Sequence, residues 1–199
     1  MQSLANVSGL GIRQAKEWGE ILTGVETKNK YQVVDQDGAS LFYAAEVGGS
    51  WITRIFLKSF RPFTVKVVDH DNQTILEVRR PFRFIFHEAD ILNAEGQLFG
   101  KIIKKFTVLR RVYSVTDATG AEICQLFGPL LKPWTFQIKH EGIELGTIHK
   151  KWSGLGKEAL TNADNFGIEF PSDCPAAVKA IFLGAVFLID FVHFENTRG

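Results

Sequence analysis

Cysteine is close to absent, with Cys124 and Cys174 the only two among 199 residues. They lie far apart and lack metal-ligand spacing, so neither a disulfide framework nor a zinc module is expected, and a reducing cytoplasm is the simpler compartment. An excess of one charge is also missing. Lys and Arg number 23 against 22 Asp and Glu, a net charge of +1, which gives no overall pull toward nucleic acid or an acidic membrane and leaves only local patches. The first twenty residues, MQSLANVSGLGIRQAKEWGE, contain no apolar core of signal-peptide length, so secretion is not expected. Chemistry-bearing motifs are lacking too. His70, His87, His140, His149 and His193 show no HExxH-type spacing, and neither a G-x-S-x-G elbow nor a phosphate-cradling glycine loop is present. Cys174 precedes Pro175 with no basic neighbour to lower its pKa. The chain does not read as an enzyme.

Long apolar runs are scarce, with one exception, PAAVKAIFLGAVFLIDFVHF from Pro175 to Phe194. Its uninterrupted part, Ala180 to Ile189, has ten residues, about 15 Å of helix, whereas a bilayer core takes roughly 20. Lys179, Asp190 and His193 flank or interrupt it, and each is costly at membrane depth. The segment reads either as a membrane crossing or as the buried helix of a folded domain, and its length favours the second.

A repeated hairpin pattern is what the chain does have. Alternating apolar residues, a turn with Gly or Asn, and renewed alternation recur around Asp37-Gly38, Asp71-Asn72, Glu95-Gly96, Thr119-Gly120 and Glu141-Gly142. Such dipeptides tolerate positive φ and are strong hairpin signals. From the second turn on, the spacing is 24, 24 and 22 residues, which suits a meander of long strands. Five hairpins give ten strands, and Glu20–Thr23 and Asn165–Phe170 are read as one more each, about twelve in all.

A twisted sheet of that size tends to close, and a closed ring of twelve needs its interior filled. The 17 phenylalanines imply a wide apolar interior. A helix enclosed by a barrel must be apolar all round, and Ala176, Ala180 and Gly184 recur every fourth residue, letting one wall approach closely. The fold expected is mainly β (α+β), a closed twelve-stranded antiparallel barrel around a hydrophobic C-terminal helix of about residues 175–194. Residues 1–19 are expected to be a short extension and 20–199 a single domain.

Several segments carry a family resemblance: NKYQVVDQDG, Ser59-Phe60-Arg61-Pro62-Phe63-Thr64, Arg80-Pro81-Phe82-Arg83, KKWSGLGKEALTNADNFGIEFP and KAIFLGAVFLIDFVHFE. Together, from about Ile21 to Glu195, they resemble the phospholipid scramblase family, which is similar to Tubby-like proteins. The resemblance implies a Tubby-like twelve-stranded barrel around a central helix. It also implies a lipid-associated, non-enzymatic protein, with calcium-stimulated, ATP-independent movement of phospholipids between leaflets. Where animal members carry a palmitoylated cysteine cluster after the segment matched by Arg80–Arg83, this chain reads Phe84-Ile85-Phe86-His87. It has no thiol there to acylate, and resembles a minimal, bacterial-type member. The expected partner is the phospholipid membrane surface, with protein partners in some relatives. The expected place is the cytoplasm, peripheral at the inner face of the membrane.

The candidate site residues each have a plainer alternative. The family's calcium segment matches residues 162–173, where Asn162, Asp164 and Asp173 offer oxygens at loop positions 1, 3 and 12. The same stretch, with Phe166, Ile168 and Phe170 alternating, also reads as a strand entering the final helix. Lys104 and Lys105 lie in one basic group, and Lys150, Lys151 and Trp152 in another. These are expected at lipid phosphates or simply as solvated strand faces. Arg54, Lys58 and Arg61, in WITRIFLKSFRPF, form a third cluster, read as a membrane-touching tip or as a loop over a barrel mouth. Within the central helix, Lys179 and Asp190 are expected near the two barrel mouths, with Leu183 and Gly184 between them. The runner-up function is a module that binds anionic or phosphoinositide headgroups without moving them. A third is a regulatory protein-interaction domain, with nucleic acid disfavoured by the neutral charge.

Overall fold

A computed structural model describes residues 2–14, 29–48, 61–82, 87–150 and 165–194. Among them, twelve strands form one closed antiparallel barrel. They are β1 (Gly9–Gln14), β2 (Lys30–Val34), β3 (Ser40–Val47), β4 (Phe63–Val68), β5 (Thr74–Arg80) and β6 (Glu88–Asn93), then β7 (Leu98–Lys104), β8 (Arg111–Asp117), β9 (Glu122–Gly128), β10 (Thr135–His140), β11 (Ile143–Lys150) and β12 (Phe166–Glu169). Each strand pairs with its neighbours in sequence, and β1 closes the ring against β12, with Leu10 opposite Ile168 and Ile12 opposite Phe166. A short helix α1 (Gln2–Ala5) precedes the barrel and α2 (Ala176–His193) follows it.

The five turns expected from sequence join β2–β3, β4–β5, β6–β7, β8–β9 and β10–β11. Four of them share one device. The side-chain oxygen of Asp35 accepts the backbone N–H groups of Asp37 and Ala39 at 2.9 and 2.8 Å. Asp69, Asn93 and Asp117 do the same for the residues two and four positions on. Gly38, Asn72, Gly96 and Gly120 then take positive φ, and the ladder shifts register beside each turn, as in a three-residue hairpin with a bulge. Because the strands alternate in direction, all five tight turns fall at one end of the barrel. The longer connections, among them residues 105–110 and 129–134, fall at the other.

Helix α2 runs through the barrel and is buried from Lys179 to Phe191. It meets inward side chains on every side, Val65, Val78, Ile102, Val115, Leu126 and Ile148 among them, which is why the segment is apolar all round. It approaches β5 and β6 closely at Gly184, which lies against Val78 and Ile91. A Cβ added there would meet Val78 Cγ2 at 3.3 Å and Ile91 Cγ1 at 3.2 Å, with Ile91 Cδ1 closer still. By length and composition α2 is apolar enough to cross a membrane, but here the strands cover its sides.

One boundary differs from the sequence reading. Strand β1 comes from the first nineteen residues, which were set aside as an extension. Its apolar alternation is diluted by glycine, with Leu10 and Ile12 buried and Gly9 and Gly11 between and before them. Gly9 is required because a Cβ there would lie 2.7 Å from the carbonyl oxygen of Ile168 across the closing seam. The strand read at Glu20–Thr23 lies outside the described residues. Both cysteines are free thiols; burial pushes Cys124 up to about 12 and raises Cys174 as well, so neither suits a nucleophile.

Candidate functional site

The inward rows that line the barrel are apolar along most of their length and charged at one end. On β3 the row runs Phe42, Ala44, Glu46; on β5 it runs Leu76, Val78, Arg80; on β8, Val115, Tyr113, Arg111; on β11, Ile148, Lys150. Arg61 extends the β4 row two residues before Phe63. All these charged ends lie at the mouth with the longer connections, where α2 leaves the barrel.

The groups there are closely engaged. Arg61 and Glu46, 2% and 0% exposed, form a bidentate pair, and the Asn29 amide donates to Glu46 Oε2 at 3.0 Å. The Arg61 guanidinium also lies 4.6 Å from the ring centroid of Phe191 on α2. Arg80 donates to His87 Nδ1. The Asp190 carboxylate accepts from the Tyr31 hydroxyl at 2.8 Å and has Lys150 Nζ at 4.0 Å. Lys150 in turn sits over Phe194 at 4.2 Å. Among the described residues, five cations (Arg61, Arg80, Lys104, Arg111 and Lys150) therefore face two carboxylates, Glu46 and Asp190.

This excess shapes the titration of its neighbours. Burial, then Arg80 and Lys104, lower His87 to about 4. Burial, then Lys104, Arg111 and His87, lower His193 to about 3. Both imidazoles are neutral at pH 7. Burial raises the Tyr113 pKa, so its hydroxyl stays protonated and donates to His193 Nε2 at 2.7 Å. Burial and then Arg80 lower Lys104. The Tyr113–His193 contact joins α2, one turn after Asp190, to β8.

Outside the charged layer, the two rim connections described throughout expose apolar side chains. In the adjacent connections 105–110 and 129–134, Phe106, Val108, Leu109, Leu130, Leu131 and Trp134 are 81, 86, 72, 62, 96 and 42% exposed. Arg111 ties the two together by donating to the carbonyls of Pro133 at 2.6 Å, Lys132 at 3.2 Å and Pro129 at 3.4 Å. A cleft of about 340 Å³ opens between Leu109, Leu130, Trp134, His193 and Phe194. The opposite end is acidic. Its tight turns carry Asp35, Asp37, Asp69, Asp71, Glu95, Asp117 and Glu141, and no Lys or Arg. Lys179 sits at that end, 5% exposed, and donates to the carbonyls of Ala5 and Val7 at 2.9 and 2.7 Å.

The sequence-derived residues fall in different places. Arg61 and Lys150, expected at lipid headgroups, are buried and face carboxylates, because both continue inward rows of the barrel. Lys104 is half-buried at the mouth. Lys105 points along the outer wall, where it pairs with Glu122 at 2.7 Å. Arg54, Lys58, Lys151, Trp152, Asn162 and Asp164 lie outside the described residues. Asp173 stands at positive φ just before α2. Within the calcium segment, Phe166 to Glu169 is committed to ladders with β1 and β11, and Phe166 and Ile168 point inward. Those residues cannot wrap an ion as a calcium loop does. Among the described residues, no group of three or more His, Cys, Asp or Glu is gathered to hold a metal. Sequence reading missed the Glu46–Arg61 and Arg80–His87 pairs. The signal was the parity of each charge with its strand's inward row.

The family model described as Scramblase matches residues 1–196, the whole barrel and α2. The chain belongs to the scramblase family. Among its relatives is human phospholipid scramblase 1, 32% identical, with 99% of this chain aligned to 66% of that protein. Bovine phospholipid scramblase 2 is 32% identical, covering 100% of this chain and 72% of the relative. Human phospholipid scramblase family member 5 is 29% identical over 99% and 78%. Against the mammalian scramblase 1 proteins the chain spans just under two thirds of their length. No solved structure matches it. Within this scramblase-family chain the match takes in β1, so the residues set aside as an extension lie inside the family's domain.

Proposed function

We propose that this protein is a scramblase-like protein that engages phospholipids at a membrane surface and moves them between leaflets without ATP. The observation that carries the reading is the family match along the entire barrel and its central helix, in a barrel whose described residues gather cations at the end where α2 leaves. Lipid movement requires a polar route for the headgroup across roughly 30 Å of hydrocarbon. With α2 enclosed, that helix is not the route. The work falls to the barrel's mouth and rim, where Arg110 and Lys132 are exposed as partners for phosphate, with half-buried Lys104 and Arg111 behind them. No covalent chemistry is involved, and in this reading the barrel is a peripheral protein of the cytoplasmic face. No step is assigned to calcium in this reading.

The test is reconstitution into vesicles containing a fluorescent phospholipid, followed by dithionite quenching. Quenching beyond the outer-leaflet fraction is expected. Quenching that stops at that fraction refutes translocation and favours the second reading, a headgroup-binding module, for which the closed barrel with α2 filling its interior speaks.

A further inference from the structure

The barrel is electrically and chemically polarised along its axis, although its net charge is only +1. One end presents the acidic tight turns. At the other, the two connections described throughout, KKFTVLRR (104–111) and GPLLKPW (128–134), contain no Asp or Glu. Exposed Arg110 and Lys132 stand among the exposed apolar side chains there, and half-buried Lys104 and Arg111 lie behind them. We infer that this end is a docking face for an anionic phospholipid bilayer: Phe106, Val108, Leu109, Leu130 and Leu131 enter the acyl boundary, Arg110 and Lys132 meet lipid phosphates, and the barrel axis stands upright with its acidic end away from the membrane.

The occupant is fixed by charge and shape together. Side chains as exposed as Leu131, at 96%, and Val108, at 86%, contribute nothing to the core. Gathered on neighbouring loop tips, they make a patch rather than scattered surface residues. Cations with apolar and aromatic neighbours match the headgroup layer of an anionic leaflet, where Trp134 also finds its preferred depth. The acidic turns at the far end are repelled by the same surface, so the two ends act together to set one orientation. Arg111, bonded to three carbonyls of the facing connection, holds the two tips as one unit. Stable anchoring of a peripheral protein takes more than one signal, and apolar insertion and charge supply two.

The inference rests on phospholipid as the partner but not on translocation. Flotation of the full chain is measured with vesicles of phosphatidylcholine alone and of phosphatidylcholine with phosphatidylserine. Wild type is expected to float with the anionic vesicles. The double variant Phe106→Asp/Leu131→Asp is expected to bind about tenfold or more weakly, and Arg110→Glu/Lys132→Glu to lose most of the dependence on phosphatidylserine. Ile143→Asp, at an apolar position 65% exposed near the acidic end, is expected to float like wild type. Melting curves show that each variant is folded, since all these side chains are exposed. Unchanged flotation of the two double variants, or no flotation of wild type on either vesicle, overturns the docking face. A protein that floats through these loops yet leaves dithionite quenching at the outer leaflet upholds the docking face and refutes translocation.

Discussion

If α2 is the filling of the barrel, Gly184 on the helix and Ile91 on β6 share one volume. In a membrane-crossing helix they would never meet. Gly184→Val adds as many carbons as Ile91→Ala removes, which allows the contact to be tested by exchange. Leaving glycine in a helix interior gains several tenths of a kcal/mol in propensity. The added Cβ, however, lies within 3.3 Å of both Val78 Cγ2 and Ile91 Cγ1, in a core where Ile91 and Val78 are 0% exposed. Overpacking of this kind costs about 1–3 kcal/mol. Ile91→Ala alone opens a cavity and costs about 2–5 kcal/mol. Combined, the new valine enters the space the isoleucine left, so the double variant is expected to be more stable than the sum of the two losses by about 0.5–3 kcal/mol. Urea unfolding followed by circular dichroism and by tryptophan fluorescence reads all four corners of the cycle. The reasoning is refuted if the two losses simply add, for then the residues are not in contact in the folded protein.

The acidic end offers a second test. Lys179→Met removes the ammonium that holds the Ala5 and Val7 carbonyls, and charge-assisted bonds of this kind contribute about 1.5–3 kcal/mol. A lower unfolding midpoint and faster amide exchange around β1 are expected, and an unchanged midpoint contradicts the assigned role. Stability is also expected to depend on acid. His87 and His193 have folded pKa values of about 4 and 3 against 6.5 in the unfolded chain, so below pH 6.5 the unfolded state binds more protons. Stability is then fully present above pH 6.5 and falls as pH drops toward 4, by up to about 1.4 kcal/mol per pH unit for buried His87 and less for half-buried His193. His87→Gln is expected to flatten that slope; an equal slope in variant and wild type removes His87 as its source. Finally, Asp173→Ala is expected to leave the melting temperature equally insensitive or equally sensitive to added calcium as wild type. A calcium response present in wild type and lost in this variant would establish Asp173 as a ligand.

How much could be read in advance depended on whether the deciding signal was local. The turns were legible because Asp37-Gly38 and its counterparts need positive φ, a property of two or three residues. The central helix was legible because a run apolar on every face, flanked or interrupted by Lys179, Asp190 and His193, has few places to go. Strand β1 was not, because Gly9 and Gly11 leave only Leu10 and Ile12 to show alternation, and the reason for glycine is a carbonyl on β12 far away in sequence. Arg61 and Lys150 looked like surface cations because composition does not reveal which face of a strand is inward. Their burial depends on register, and their partners Glu46 and Asp190 lie 15 and 40 residues away. The axial charge separation was hidden for the same reason. The chain interleaves the acidic turns with connections such as 104–111 and 128–134, which carry cations and no acid, and only the meander sorts the two to opposite ends.

The seam between β1 and β12 also sets the order in which the molecule can be completed. Every other strand pair joins neighbours in sequence, but the last hydrogen-bonded pair unites the two extremes of the sheet, and α2 follows even that. During synthesis from the N-terminus, β2 to β11 can zip together as hairpins while their inward apolar rows have nothing to enclose and the ribbon keeps two bare edges. Non-local closure is slow because chain entropy must be given up before its contacts form. The apolar helix that makes the barrel compact emerges after every strand, so the nascent chain passes through a stage in which an open, sticky sheet waits for its own filling.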